Sequence, residues 1–251
     1  MDNILDRFGL YDFFGLLIPG MYFIFVMDLL EILQMFKFEY PTNEAIMVVM
    51  FVLFGYVIGT LMQEIGSLLD RKLMHMRKKA MTEYLNKNVK MSKIDNFFYD
   101  TESCFTELEL ETIKKLINVE QRCNVDDLLK EEISEKCKNA FFDFKSYLEI
   151  NGGMSKANKL DALFAMSRDL IVCNLVIGIC TVIYWKEIQI FKPIHILWYI
   201  IVSSFVLGER AQRYANMRVR AIIRRYIMLK REGNTSVSNT TKENTSEEGN
   251  T

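Results

Sequence analysis

Residues 45–63 read AIMVVMFVLFGYVIGTLMQ, 19 residues without a charge between Glu44 and Glu64. A soluble amphipathic helix keeps a polar stripe at helical spacing, and this run has none. Its length matches the roughly 20 apolar residues that cross a bilayer as an α-helix. Working outward, three more uncharged runs stand at Phe13–Met27, Leu170–Trp185 and Pro193–Gly208, of 15, 16 and 16 residues. Each is slightly short of a span, so flanking polar side chains must reach the headgroups by snorkelling. Four buried helices of a soluble bundle would fit this pattern less well.

The 251 residues are half hydrophobic and a quarter charged, an average that conceals the segregation. A net charge of −1 argues against general nucleic-acid binding. Lys and Arg fix the orientation. Arg7, five cations from Arg71 to Lys79, three from Lys156 to Arg168 and eight from Arg210 to Arg231 fall on one side. The two opposite loops hold only Lys37, Lys186 and Lys192. Both termini and the long middle segment are therefore expected in the cytosol. Asp2 and Asp6 replace the basic start of a signal peptide, so the first run is expected to stay as an anchor. Cys104, Cys123, Cys137, Cys173 and Cys180 have no zinc or redox spacing and read as free thiols.

The sequence predicts an all-α integral membrane protein with four transmembrane helices and a helical cytosolic domain between the second and third. Residues 1–63 form the first helix pair, 64–169 helical stalks around a small acidic domain, and 170–208 the second pair. Residues 209–231 form a basic helix and 232–251 a disordered tail rich in Asn, Thr, Ser and Glu. One unbroken basic helix is expected from Glu64 to about Asn86. In the acidic piece, 91–150, Thr106 and Glu109 have the spacing of a capping box. Asn124 is placed to cap a second helix, and Asn151-Gly152-Gly153 to stop it.

Candidate residues each carry a plain alternative. Pro19 and Gly20 break the first run, which reads as a hinge, a pore element or a static packed kink. Asp28 and Glu31 share a helix face, as a carboxylate ring at a cation path or as headgroup-level charges. Gly55, Gly59 and Gly66 suit a close helix crossing. Asn174, an amide deep in the third run, needs a partner inside the bundle. In the basic helix, Ala211, Ala215, Val219, Ile222, Tyr226 and Leu229 form a stripe, with Arg210, Arg213, Arg220 and Arg224 off it and Arg225 alongside. These arginines suit anionic lipid, or the acidic segment, or topology alone. Asp127, Glu131 and Glu135 read as a solvated face. His75 and His195 have no metal-ligand spacing. No phosphate loop, nucleophile elbow or Cys/His pair is present. No catalysis, metal or cofactor is therefore expected.

Four stretches taken together carry a resemblance: YDFFGLLIPG at 11–20, GTLMQEIGSLLD at 59–70, KLDALFAMSR at 159–168 and the Arg-rich exit 210–225. They resemble a family of uncharacterised bacterial four-helix inner-membrane proteins that often occur in defence-related gene neighbourhoods. The resemblance covers the membrane part and hardly touches the middle segment, and it transfers no catalytic residue. It implies a multi-pass bacterial inner-membrane protein with a role in anti-phage defence. With the residue pattern, it leads to a membrane-embedded effector or sensor subunit, gated by a cytosolic protein or signalling ligand. A homo-oligomer in the lipid bilayer is expected, without nucleic acid. The alternative is a non-catalytic scaffold that recruits a soluble partner, and a small transporter ranks third.

Overall fold

The computed structural model describes residues 9, 11–30, 32, 43–82, 84–85, 105–186, 188 and 192–247, with backbone alone for 231–247 and for 107, 127 and 130. Every regular element among them is helical. Helix α1 is Asp12–Leu29 and α2 is Glu44–Leu69. Helix α3 is Met76–Thr82, α4 Glu107–Glu120 and α5 Lys130–Ile150. Helix α6 is Ser155–Ile183 and α7 is Pro193–Glu247. Four stretches, Asp12–Leu29, Glu44–Met74, Ser155–Ile183 and Pro193–Lys230, are long and apolar enough to cross a membrane.

The chain divides into two compact units: 1–80 with 158–215, and 81–157 with 216–251. Helices α6 and α7 contribute residues to both. Residues 64–80 and 158–169 fall in the first unit, with the apolar helices.

In the first unit, α1 opens with a π-helical stretch, Asp12–Leu17, just before Pro19. The Ile18 amide donates to the Phe13 carbonyl, the wider five-residue register. Pro19 and Gly20 are buried, and the Pro19 carbonyl accepts the Cys173 thiol at 3.4 Å. The Pro19–Gly20 segment is thus packed. Asn43 caps α2, its Oδ1 accepting from the amides of Ala45 and Ile46. Three glycines bring α1 and α2 into backbone contact. A β-carbon at Gly20 would overlap the Gly55 carbonyl oxygen, and one at Gly59 would overlap that of Leu16. In the same unit Met27, Leu30, Ile32, Met62, Val172, Cys173, Ile177, Ile188 and Ile200 form one apolar core.

The helix expected to run unbroken from Glu64 toward Asn86 is interrupted. After α2 comes a π-helical turn, Asp70–Met74, and then His75 in the left-handed region at φ 52°. Few non-glycine residues adopt that conformation. It is held here by buried Asp70, whose Oδ1 accepts the Met76 amide at 2.9 Å and so caps α3. A side-chain cap placed inside the pattern competes with helix continuation, and periodicity alone does not show it.

In the second unit, the Thr106 capping box forms as expected: Thr106 Oγ1 accepts the Glu109 amide, and Glu109 returns a carboxylate to the Thr106 amide. Asn124 makes no side-chain cap. A short turn of 3-10 helix, Val125–Asp127, intervenes, and α5 starts at Lys130. Glu132 accepts the Leu129 amide at its start, while the Val125 amide is taken by Asn118 instead. At the other end, Gly152 adopts φ 71° and the Gly153 amide donates back to Leu148, the expected glycine stop. Phe141, Phe144, Leu148, Ile113 and Ile117 are buried here, as are Val219, Ile222 and Tyr226 of α7. The backbone of α7 continues to Glu247, through the segment whose composition suggested disorder. From 232 to 247 the chain contains no proline and only Gly233, so no strong backbone break interrupts it.

Candidate functional site: a buried charged junction

Three of the four stretches that carry the resemblance meet in the first unit. Tyr11 precedes α1, Gln63 and Gly66 lie on α2, and Asp161, Phe164 and Arg168 lie on α6. Next to Arg168 stands Asp169. Arg168 Nε donates to Asp169 Oδ1 at 2.7 Å, and the two side chains are 2% and 0% exposed. The pair lies mid-helix, because α6 starts at Ser155, well before the apolar run. It therefore faces neighbouring helices and does not stand at a frayed helix end.

Gly66 is what lets α2 approach. A β-carbon there would overlap Asp169 Oδ1 and come within 2.9 Å of Arg168 Nε. Arg168 Nη2 also reaches the Gln63 carbonyl at 3.4 Å. The Gln63 side-chain amide donates to the Tyr11 hydroxyl at 2.8 Å, which ties α1 into the same layer. On the other flank, Arg77 of α3 pairs with Asp161 at 3.0 Å. The Phe164 ring meets two guanidiniums, with its centroid 4.9 Å from Arg77 Cζ and 5.8 Å from Arg168 Cζ. Both contacts fall in the range of cation–π attraction. Two buried atoms of this layer, Asp169 Oδ2 and Arg77 Nε, have no hydrogen-bond partner among the described residues.

A second polar cluster lies further along α6. Asn174, 1% exposed, accepts from the Tyr22 hydroxyl at 2.8 Å and donates to the hydroxyls of Ser203 and Ser204 at 3.0 and 3.2 Å. One amide thus links α1, α6 and α7, and the partner required by the sequence reading is found.

In the second unit the basic helix meets the acidic segment, one of the alternatives left open by the sequence. Arg224 Nε donates to Glu109 at 2.6 Å. Lys230 pairs with Glu120, which also accepts the Tyr226 hydroxyl at 2.7 Å. Tyr226 stacks on Phe144 at 4.3 Å, and Arg220 lies over Phe105. Partial burial works against ionisation of Glu109, but the Thr106 amide, the Arg224 hydrogen bond and the charges of Arg224 and Arg220 outweigh it and hold the carboxyl below its usual range. Glu120 is also held low, first by Lys230 and then by Tyr226. Burial pushes the Cys137 thiol up to about 11, which leaves it protonated and unreactive at neutral pH.

The sequence-predicted residues scatter. Pro19 and Gly20 are buried at the helix crossing, and Asp28 is exposed at the far end of α1. Glu31 lies outside the described residues. Arg210 and Arg225 are exposed and Arg213 is half-buried, whereas Arg220 and Arg224 make contacts within the second unit. In the sequence Arg168 counts among the topology-setting cations and closes the stretch 159–168, and Asp169 merely precedes the third apolar run, so neither reads as half of a buried pair. The usable signal was their position: an Arg-Asp pair inside one continuous helical pattern, with Gly66 extending the Gly55/Gly59 series. Among the described residues no group of three or more His, Cys, Asp or Glu side chains could hold a metal ion.

Compared with protein-family models, curated proteins and solved structures, the chain matches none.

Proposed function

We propose that this chain is a membrane-embedded sensor or effector subunit, in which the Arg168–Asp169 junction sets the packing of α1, α2 and α6. The observation that carries the reading is the fully buried ion pair against Gly66. Buried ion pairs contribute little net stability compared with apolar replacements, and their best-attested use is to specify or switch an arrangement. The apolar surface supports a bilayer setting: Ile46, Val48, Val49, Leu53, Val57 and Leu61 of α2 are exposed along its length, as lipid-facing residues would be. The expected cytosolic input acts through the second unit, which shares α6 and α7 with the first. The resemblance adds a bacterial inner membrane and anti-phage defence. The output would be a perturbed or permeabilised membrane.

The test is membrane potential and dye entry in cells expressing the protein from a tightly controlled promoter, with and without neighbouring genes under phage challenge. Depolarisation before loss of viability, altered by Asp169→Asn, supports the reading. Intact potential under every condition rejects it.

One observation favours the scaffold reading as a second choice. Leu108, Val119, Leu129 and Ile150 of the second unit are more than two-thirds exposed, at 74%, 71%, 74% and 85%. A scaffold predicts that charged replacements here abolish co-purification of a soluble protein and leave membrane potential unchanged.

A further inference from the structure

Asp169 is buried on all sides yet uses only one of its oxygens. Oδ1 accepts from Arg168, and Oδ2 has no partner among the described residues. An ionised carboxylate has acceptor capacity on both oxygens, and leaving a buried one empty is costly. The surroundings supply few charges. From α2 the site faces the Gly66 backbone and the Gln63 carbonyl, and Glu64 is exposed. From α1 comes Tyr11, already bound to Gln63. Asp70 is engaged at the Met76 amide. The cations acting on Asp169 are Arg168 and Arg77, and Arg77 is held by Asp161, while the nearby Cys173 thiol donates to the Pro19 carbonyl.

We propose that Oδ2 of Asp169 is a proton-binding position, and that filling it releases the junction between α2 and α6. The Arg168–Oδ1 geometry leaves Oδ2 open to a proton. Once the proton is bound, the carboxyl is neutral and Arg168 becomes a lone guanidinium inside the protein. That is the expensive state for a buried ion. Arg168 has a long apolar stem and can relieve it by swinging its head outward to water or headgroups. Its departure breaks the contact with Gln63 and empties the cradle at Gly66. The closed arrangement therefore belongs to ionised Asp169, and the open one to its protonated form. This deepens the sensor reading by naming its signal as acidification, and rests on that reading for its cellular meaning only.

The experiment is amide hydrogen exchange on the full-length protein in lipid nanodiscs, corrected for intrinsic rate, at neutral and mildly acidic pH. In the wild type, protection over 62–70 and 166–172 should fall by about a hundredfold on acidification. Asp169→Asn, the same shape without the charge, should be unprotected already at neutral pH. Arg168→Gln should stay protected at both, because Asp169 can then take its proton without stranding a cation. The double variant Arg168→Gln with Asp169→Asn should behave the same way, which separates loss of the switch from loss of the fold. Unchanged wild-type protection across the pH range overturns the proposal, as does Asp169→Asn as protected as wild type at neutral pH. A proton-dependent change in exchange alongside silent cells would leave this inference standing and reject the sensor reading.

Discussion

Gly66 and Asp169 are in contact only because Gly66 has no side chain: a β-carbon there would occupy the space of Asp169 Oδ1. Arg168 Nε would also be only 2.9 Å from it. Gly66→Ala must therefore push the ion pair away from α2. Overpacking in a tight interior costs about 1–3 kcal/mol, and disturbing a buried pair adds to that. The expected result is a lower melting temperature in detergent or nanodiscs. Gly208→Ala is the control, since a β-carbon there meets nothing within 4 Å. It should be neutral or slightly stabilising, because alanine is the better helix former. Equal melting of the two variants would rule out the tight contact at Gly66.

The crossing of α1 and α2 should be still less tolerant. At Gly20 and Gly59 the obstructing atoms are backbone carbonyls, those of Gly55 and Leu16, and backbone cannot rotate aside as a side chain can. Gly20→Ala and Gly59→Ala should each separate the helices and reduce the folded protein recovered from membranes. Gly178→Ala, whose β-carbon would only touch Ile200 at 3.7 Å, should be recovered at the wild-type level. Normal recovery of all three would disprove the crossing.

Acid should loosen the second unit. Glu109 and Glu120 both titrate below the usual carboxylate range of about 4.3. A group lowered on folding contributes stability that is present above its unfolded pKa and is lost as pH falls through its folded pKa. The loss should thus develop below about pH 4. The contribution is modest, at most about 1 kcal/mol for each exposed pair, and smaller in high salt. Hydrogen exchange of α4 amides against pH reads it directly. Glu109→Gln with Glu120→Gln should flatten that dependence, and an unchanged acid limb in the double variant would assign it to other groups.

What the sequence revealed and what it hid follow from the range of the interactions. The four apolar helices, the Thr106 capping box and the glycine stop after α5 each depend on residues a few positions apart, so their pattern is written locally. Asn174 was legible as a demand, since a buried amide needs partners, though not as the answer Tyr22, Ser203 and Ser204. The break at His75 depends on a side chain five residues earlier turning back to cap α3, which a periodicity reading passes over. The junction was least legible. Arg168 and Gly66 are about a hundred residues apart, and charges beside an apolar run look the same whether they reach headgroups or are buried.

The Asn174 cluster offers the cleanest measure of a polar contact inside the helical bundle. Its amide serves Tyr22 on one side and Ser203 and Ser204 on the other. Such contacts between helices in lipid average about 0.6 kcal/mol and reach about 1.7, because unpacked helices in the membrane also find partners. Asn174→Leu should cost more than one such contact, since it removes the bonds to Ser203 and Ser204 as well as the one to Tyr22. Tyr22→Phe removes one bond and its donor together, and should cost less. In a double-mutant cycle by thermal or denaturant unfolding, adding Tyr22→Phe to Asn174→Leu should cost little more, with a coupling of about 0.5–1.5 kcal/mol. Strict additivity would mean that the hydroxyl and the amide do not share a bond, and that α1 and α6 are held at this level by apolar packing alone.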